Sequence, residues 1–141
     1  MVLNFGSQTI IPNEFESLVK NRNAFTIKPF LRAYDLIQKE DIFDSVNELP
    51  FVIVGSGLAA IEVSYALRKR WRGRSLKLLC DSRKINNTIL KSLRNSNIDL
   101  VENLNFDYGK ILLCTGNTSP LWAQKKLLDS DSHGRIITNQ N

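Results

Sequence analysis

The residues with the clearest chemical potential lie in one short stretch, "FVIVGSGLAAIE", Phe51 to Glu62. Four apolar residues lead directly into Gly-Ser-Gly, and small residues and an acid follow. Gly55 permits a tight turn after a buried strand, and Gly57, which lacks a side chain, lets a phosphate approach the backbone. The N–H groups at the start of the following helix would then hold a pyrophosphate. The stretch therefore predicts a dinucleotide-binding loop.

Two residues after the glycines complete this pattern. Ala60 takes the third position, where a small residue packs the helix against the strand. Glu62 is either an acid in the first turn of the helix, favourable to its dipole, or a residue facing the nicotinamide end of a cofactor. A Gly-x-Gly-x-x-Ala pattern alone is weak evidence, because small residues are common in such turns. The surrounding sequence has to support it.

An acid at the end of the next predicted strand gives that support. Asp81 follows an apolar run, about where the acid that holds a ribose is expected. A carboxylate there accepts hydrogen bonds from ribose hydroxyls and repels a 2′-phosphate, which favours NAD over NADP. Arg83 and Lys84 argue for NADP, since either cation could hold the 2′-phosphate. On balance the sequence favours NAD.

A third group of candidate residues closes a later strand. "CTGN", residues 114–117, places Thr115 and Gly116 after an apolar run. Because parallel strands end at the same edge of a sheet, we expect these two residues beside the glycine loop. No catalytic residue and no metal ligand is predicted. The candidate cofactor-binding residues are Gly55, Ser56, Gly57, Leu58, Ala60, Glu62, Asp81, Ser82, Arg83, Thr115 and Gly116.

Composition argues against several classes of protein. The chain has 141 residues, 43% of them hydrophobic, which suits one soluble domain with its own core. No run approaches the ~18 apolar residues that cross a bilayer, and no basic segment precedes an apolar one at the N-terminus, so a cytoplasmic protein is expected. The net charge of +5 comes partly from "RKRWRGR", residues 68–74. We expect a solvated helix end there and no nucleic-acid site.

The other reactive side chains are expected to have structural roles. Cys80 and Cys114 each end an apolar run without metal-ligand spacing, which predicts two buried strand residues. His133, the only histidine, lies in a polar turn and is expected at the surface. Trp71 and Trp122 are expected to be packing residues.

The elements that must position these residues alternate along the chain. Residues 1–29 look irregular, a helix is predicted from about 29 to 39, and a polar connection follows with a helical turn around 42–46. Buried strands are predicted at 51–54, 76–80, 98–101 and 110–114, with helices at 58–71, ended by Gly73, and at 87–95. A helical piece and a short strand at 135–138 follow. This order predicts an α/β fold, a Rossmann-like three-layer domain with a mainly parallel sheet of about four to five strands.

Over nearly its whole length the sequence resembles an internal piece of the two-dinucleotide FAD-dependent pyridine nucleotide oxidoreductases. It looks most like type II NADH dehydrogenase-like and sulfide:quinone oxidoreductase-like members, including the flavoprotein part fused to selenide, water dikinase. In that family the glycine loop is the second, NAD(P)H-binding fingerprint, in which an acid at the position of Glu62 is common. The matching segments are "LNFGSQT" (3–9), "FTIKPF" (25–30), "IVGSGLAAIE" (53–62), "ILLCTGNTSPLW" (111–122) and "HGRIITNQ" (133–140).

The resemblance implies a domain organisation and a function. Residues 1–29 correspond to a remnant of the FAD-domain segment, 30–50 to a connecting helix and linker, 51–120 to the NAD(P)-binding domain, and 121–141 to a return segment toward the FAD domain. NAD(P)H would pass hydride to a flavin, FAD, held by segments outside this sequence, and the fragment alone is expected to be inactive. For Trp122, which follows the turn at the ligand edge, an approach to the flavin then stays open as an alternative to packing. Residues 102–109 are too few for the antiparallel meander usual in the family.

Two other functions stay open. A degenerate Rossmann-like domain could have a structural or partner-docking role without a cofactor, and the short 102–109 segment favours this. A small stand-alone domain could instead bind another nucleotide through Gly55 and Gly57. Binding of NADH or ADP-ribose distinguishes the leading hypothesis from the inert module.

Overall fold

The structure, a computed structural model, describes residues 6–43 and 49–118. The predictions for residues 121–141, including those for Trp122 and His133, lie outside the described residues. Short 3₁₀ turns lie at Asn13–Phe15, Asp41–Phe43 and Ser82–Lys84. The α-helices are α1 (Glu16–Lys20), α2 (Phe30–Glu40), α3 (Leu58–Arg70) and α4 (Asn87–Asn95). The strands are β1 (Gln8–Thr9), β2 (Ala24–Thr26), β3 (Phe51–Val54), β4 (Leu76–Leu79), β5 (Ile98–Val101), β6 (Ile111–Leu113) and β7 (Asn117–Thr118).

Five strands form one parallel sheet in the order β2-β6-β3-β4-β5. β3 lies at its centre, with Phe51 opposite Leu76 of β4 and Val52 opposite Ile111 of β6. Parallel neighbours need crossover connections, and α3 and α4 supply those that join β3, β4 and β5. The predicted α/β, Rossmann-like fold is confirmed, with five strands in the parallel sheet.

Burial on both faces explains why residues 51–54 form one continuous apolar run. Successive side chains of a strand point to opposite faces, and all four residues of β3 are buried. Phe51 and Ile53 join the larger core, whereas Val52 and Val54 join the smaller core on the opposite face. The turn that follows β3 therefore begins from a strand held on both sides.

The two faces of the sheet are covered by different kinds of structure. Helices α2, α3 and α4 cover one face, with Ala33, Ala60 and Leu93 fully buried against it. The other face is covered by α1 with its preceding turn, and by residues 102–109, which contain no strand. Leu104 and Phe106 pack there beside the sheet. This segment thus covers the face without an antiparallel meander, as its short length predicts.

The N-terminal part is more regular than the sequence predicts. Residues 24–26 form β2 at the edge of the central sheet, and residues 16–20 form α1. β1 pairs antiparallel with β7, which places the N-terminal segment beside the turn after β6. The prediction of an irregular segment is wrong here, because strands of two or three residues are too short to show an alternating pattern.

Most other boundaries agree with the sequence pattern. α4 and β5 have the predicted bounds, and the Asn86 side chain caps α4 by accepting a hydrogen bond of 2.8 Å from the Thr88 N–H. β4 stops one residue short of the prediction, and β6 lacks the first and last predicted residues. Within the described ranges, no helix has the length and apolar character that a membrane span needs.

The residue that ends α3 is not the glycine that the sequence predicts. The helix ends at Arg70, before Gly73 is reached, and the Trp71 N–H donates to the Leu67 carbonyl at 2.7 Å. Trp71 is 1% exposed and packs edge-on against Phe51, so its predicted packing role is confirmed. The buried indole, and not Gly73, marks where the chain leaves the helix.

The solvated helix end predicted for residues 68–74 is confirmed only in part: Lys69, Arg70 and Arg72 are exposed, but Arg74 is buried, and for it the prediction is wrong. Arg74 is 2% exposed and pairs with Glu40 of α2 at 2.7 Å. Its guanidinium also lies over the ring of Trp71, 4.7 Å from the centroid. Asp41 accepts a hydrogen bond of 2.7 Å from Trp71 Nε1 and a further one from Arg70. These contacts fasten the end of α3 to the end of α2.

Candidate functional site

A cleft of about 470 Å³ opens at the carboxyl ends of β3, β4 and β6. Residues that follow these strands line it, together with residues from the turn before α1 and from the start of the 102–109 segment. Four predicted site residues lie in its lining: Gly55, Ser56, Asp81 and Thr115. The sequence thus correctly places residues from three separate loops at one edge of the sheet, where ligands of open α/β sheets bind.

Gly55 forms the turn between β3 and α3. Its φ of +145° is one that residues with side chains rarely adopt. A Cβ at this position would lie 2.6 Å from the Cys114 carbonyl oxygen and 3.1 Å from the Ala60 Cβ. Only glycine therefore fits between β6 and the first turn of α3. Ala60 is fully buried against this turn, which confirms the small packing residue predicted there.

Gly57, the N-cap of α3, is a glycine that the fold itself does not require. Its backbone is extended, with φ −89° and ψ 171°, and a Cβ there would meet no atom within 4 Å. No side chain caps the helix, and Leu58 at its first position is 68% exposed. The first N–H groups of an α-helix have no partner within the helix. The start of α3 thus offers both the amide donors and the open space that a bound anion needs.

Ser56 joins two of the loops that line the cleft. Its Oγ accepts a hydrogen bond of 2.9 Å from the backbone N–H of Asp81. The Gly55 N–H donates to the Leu79 carbonyl at 3.0 Å beside it. The two bonds hold the glycine turn and the end of β4 in one arrangement. The sequence marks Ser56 only as the residue between two glycines, because a bond to a backbone N–H leaves no pattern.

The Asp81 carboxylate is engaged by its own neighbours. Its Oδ1 accepts a hydrogen bond of 2.9 Å from Arg83 Nε, its Oδ2 accepts one of 3.1 Å from the same guanidinium, and Lys84 Nζ lies 3.8 Å away. The hydrogen bonds from Arg83 lower the pKa of Asp81, against the opposing effect of burial. A ribose hydroxyl at Asp81 would have to share this carboxylate with Arg83, whose side chain is 88% exposed.

Thr115 and Gly116 lie in the turn after β6 and are held by the N-terminal segment. The Thr115 hydroxyl donates to the Ile10 carbonyl oxygen, and the Gly116 carbonyl accepts a bond of 3.1 Å from the Ile10 N–H. Thr115 lines the cleft, whereas Gly116 does not. The prediction that Thr115 lies beside the glycine loop is therefore confirmed.

The other candidate residues lie outside the cleft lining. Glu62 is exposed in the second turn of α3, so the prediction of a first-turn acid is wrong. Ser82 lies in the 3₁₀ turn beyond Asp81 and donates to Glu102 Oε1 at 3.2 Å. That Glu62 faces a nicotinamide stays a prediction. The candidates that do not line the cleft are Gly57, Leu58, Ala60, Glu62, Ser82, Arg83 and Gly116.

Two carboxylates that the sequence did not single out line the cleft with Asp81. Glu14 comes from the turn before α1, and Glu102 directly follows β5. Both lie in segments without a recognisable pattern, so no signal marked them. Their negative charge opposes the binding of a pyrophosphate, while Arg83 beside Asp81 offsets part of it.

Cys80 and Cys114 are buried at the ends of β4 and β6, as predicted. Burial raises the pKa of the Cys114 thiol to about 12. Burial also raises the pKa of Cys80, with a further contribution from the nearby Asp81 carboxylate. Burial thus disfavours the thiolate, which is the nucleophilic form, at both cysteines.

Comparisons with known proteins assign no family to this chain. No protein-family model matches it, and no curated protein matches it significantly. The family resemblance of the sequence stays a prediction. A proposal for the function therefore has to rest on the fold and on the geometry of the cleft.

Proposed function

We propose that the chain is a pyridine-nucleotide-binding domain that holds NADH in the cleft at the carboxyl ends of β3, β4 and β6. The observation that carries this proposal is the meeting of Gly55, Ser56, Asp81 and Thr115 in one cleft, beside the open start of α3 at Gly57. The cleft volume of about 470 Å³ is in the range of small-molecule and cofactor sites, roughly 300–1,000 Å³.

The cleft and the helix start beside it have different roles in this proposal. The pyrophosphate meets the amide groups at the start of α3, where the missing side chain of Gly57 leaves room for it. The adenosine ribose donates hydrogen bonds to the Asp81 carboxylate. The hydrogen bond from the Asp81 N–H to Ser56 Oγ holds Asp81 near the glycine turn. When bound, the nicotinamide supplies a hydride, and the residues of this chain bind and orient it.

The sequence resemblance extends the proposal to a FAD-dependent oxidoreductase. In such a protein, hydride passes from NAD(P)H to a flavin bound by FAD-binding segments outside this sequence. In that protein the contribution of this chain would be to bind and orient the cofactor. We expect the chain alone to bind NADH without turnover.

A second candidate is a Rossmann-like module that docks a partner and holds no cofactor. The observation that favours it is the set of three carboxylates in the cleft, Glu14, Asp81 and Glu102. Asp81 is also already bonded to Arg83 in a two-point contact, as a structural ion pair would be. In this case the cleft would be a surface feature without affinity for pyrophosphate.

Calorimetric titration of the chain with NADH, NADPH and ADP-ribose distinguishes the two. The dinucleotide proposal predicts that NADH and ADP-ribose bind and that NADPH binds more weakly. Absence of binding by NADH and ADP-ribose at millimolar concentration would leave the docking module as the better account. Arg83→Ala tests the preference for NAD, because it frees the Asp81 carboxylate and removes a cation for the 2′-phosphate. Tighter binding of NADPH than NADH, lost in Arg83→Ala, would overturn that preference.

A further inference from the structure

A second cleft, of about 450 Å³, lies between α2 and β2 at the edge of the sheet. It shares no lining residue with the dinucleotide cleft. Val19, Phe25 and Leu36 contribute apolar surface to its walls. It is thus a separate cavity of a size that accommodates a small molecule.

Positive charge predominates in the lining of this second cleft. Four cations line it against two carboxylates, Asp35 and Glu40. The charge of Glu40 is already compensated, because its Oε2 lies 2.7 Å from the buried guanidinium of Arg74. Four cations then stand against one carboxylate, and no ion pair within the described ranges involves any of the four. The cations are Arg22, Arg32, Lys39 and Lys110.

One of these cations is held in position by two hydrogen bonds, one to a backbone oxygen and one to a side-chain oxygen. Lys110 Nζ donates to the Arg22 carbonyl oxygen at 2.8 Å and to Asn23 Oδ1 at 3.3 Å. An ammonium group has three protons to donate, so one is left for a ligand. An anion in the cleft would meet a cation whose place is set before binding, which lowers the entropic cost of the contact.

Arg22 has a backbone conformation that favours another residue type. Its φ is 59°, in the left-handed region, at the turn that ends α1. The Arg22 N–H donates to the Val19 carbonyl, and the Asn23 N–H donates to the Leu18 carbonyl. Glycine is the usual residue at this kind of helix end. Since the turn would form more easily with glycine, the backbone does not require the arginine side chain that lines the cleft.

We propose that this second cleft binds a small organic anion, a phosphate monoester with an apolar body. The phosphate meets Arg22 and Lys110 at the end of the cleft where β2 begins, and the apolar body lies against Val19 and Leu36. Guanidinium and ammonium groups are the usual partners of phosphate in proteins. The proposal is independent of the dinucleotide site.

The test uses 2-naphthyl phosphate as the probe, with the full chain and calorimetry at low ionic strength. We expect it to bind, and to bind more tightly than inorganic phosphate or 2-naphthol, because each of these has only half of the required chemistry. Raising the salt concentration should weaken binding. Saturating NADH should leave it unchanged. Absence of binding, or competition with NADH, would overturn the proposal.

Arg22→Gly separates a binding role from a structural one. We expect the variant to unfold at a higher temperature and to bind 2-naphthyl phosphate about tenfold more weakly. Lys91→Gln, which removes an exposed cation from α4, should change neither property. Unchanged affinity in Arg22→Gly would contradict the proposal, as would tighter binding of an acidic peptide or of RNA to the same residues.

Discussion

The Oγ of Ser56 accepts a hydrogen bond of 2.9 Å from the backbone N–H of Asp81, and this bond joins the loop after β3 to the loop after β4. The first loop leads into the helix start that would hold a pyrophosphate, and the second contains the carboxylate that would hold a ribose. This hydroxyl thus helps to set the spacing between the two parts of the proposed site, together with the bond from the Gly55 N–H to the Leu79 carbonyl.

Ser56→Ala should lower the free energy of unfolding by about 1 kcal/mol, because it leaves the Asp81 N–H without its acceptor. Urea unfolding of the two proteins measures the loss, and NADH affinity should fall with it. Ser82→Ala is the matched control, since that hydroxyl bonds only to the exposed Glu102 carboxylate. Its cost should be within about 0.5 kcal/mol. Equal losses in the two variants would contradict the special role of Ser56.

Gly55 and Gly57 should respond differently to substitution by alanine. Gly55→Ala places a Cβ 2.6 Å from the Cys114 carbonyl at a φ of +145°, and should cost about 2 kcal/mol or more. Gly57→Ala meets open space with an extended backbone, and should cost less than about 1 kcal/mol. Thermal unfolding compares the two. A loss in Gly57→Ala as large as that in Gly55→Ala would show that both glycines serve the fold.

Glu40→Gln should destabilise the protein by about 3 kcal/mol, because it leaves the buried Arg74 guanidinium without its counter-charge. Urea unfolding is the measurement. Asp99→Asn breaks the ion pair between Asp99 and Lys77. Because the Asp99 side chain is 63% exposed, this variant should cost less than about 1 kcal/mol. If the two losses were alike, the Glu40–Arg74 pair would not be the buried contact described above.

Asp41 should contribute to the acid sensitivity of the fold. Hydrogen bonds from Arg70 and Trp71 hold the pKa of Asp41 below its ordinary value of 3.8, against the opposing effect of burial. The unfolded chain therefore takes up the proton first as pH falls. The stabilisation is complete above the ordinary pKa and is lost as the pH drops through the lower, folded-state value. Asp41→Asn should flatten the loss of stability between about pH 5 and about pH 2, measured by urea unfolding. An unchanged acid limb would contradict this assignment.

The central elements could be predicted because local pattern and burial agree there. Residues 51–54 are apolar without interruption since both faces of β3 are covered. The short β2 could not be found, because three residues show no period and its place in the sheet depends on pairing with the distant β6. The burial of Arg74 could not be predicted, because charge in a sequence does not show a buried partner, and Glu40 lies in another helix.

The candidate site was predictable to the extent that strand ends determine it. Asp81 and Thr115 follow apolar runs, so the parallel sheet brings both to the cleft that Gly55 lines. Glu14 was not predictable, since it reaches the cleft through the packing of the N-terminal segment. The bond between Arg83 and Asp81 depends on side-chain conformation, which spacing alone does not specify.

Binding of a dinucleotide in the cleft between Gly55 and Asp81 is tested most directly by an amide NMR titration of the chain with ADP-ribose. We expect saturable shifts at the amides of Ser56, Gly57 and Asp81, and much weaker binding in Gly57→Ala. Gly73→Ala, at another open glycine, should bind as the wild type does. Absence of shifts at these amides, or unchanged binding in Gly57→Ala, would contradict dinucleotide binding in this cleft.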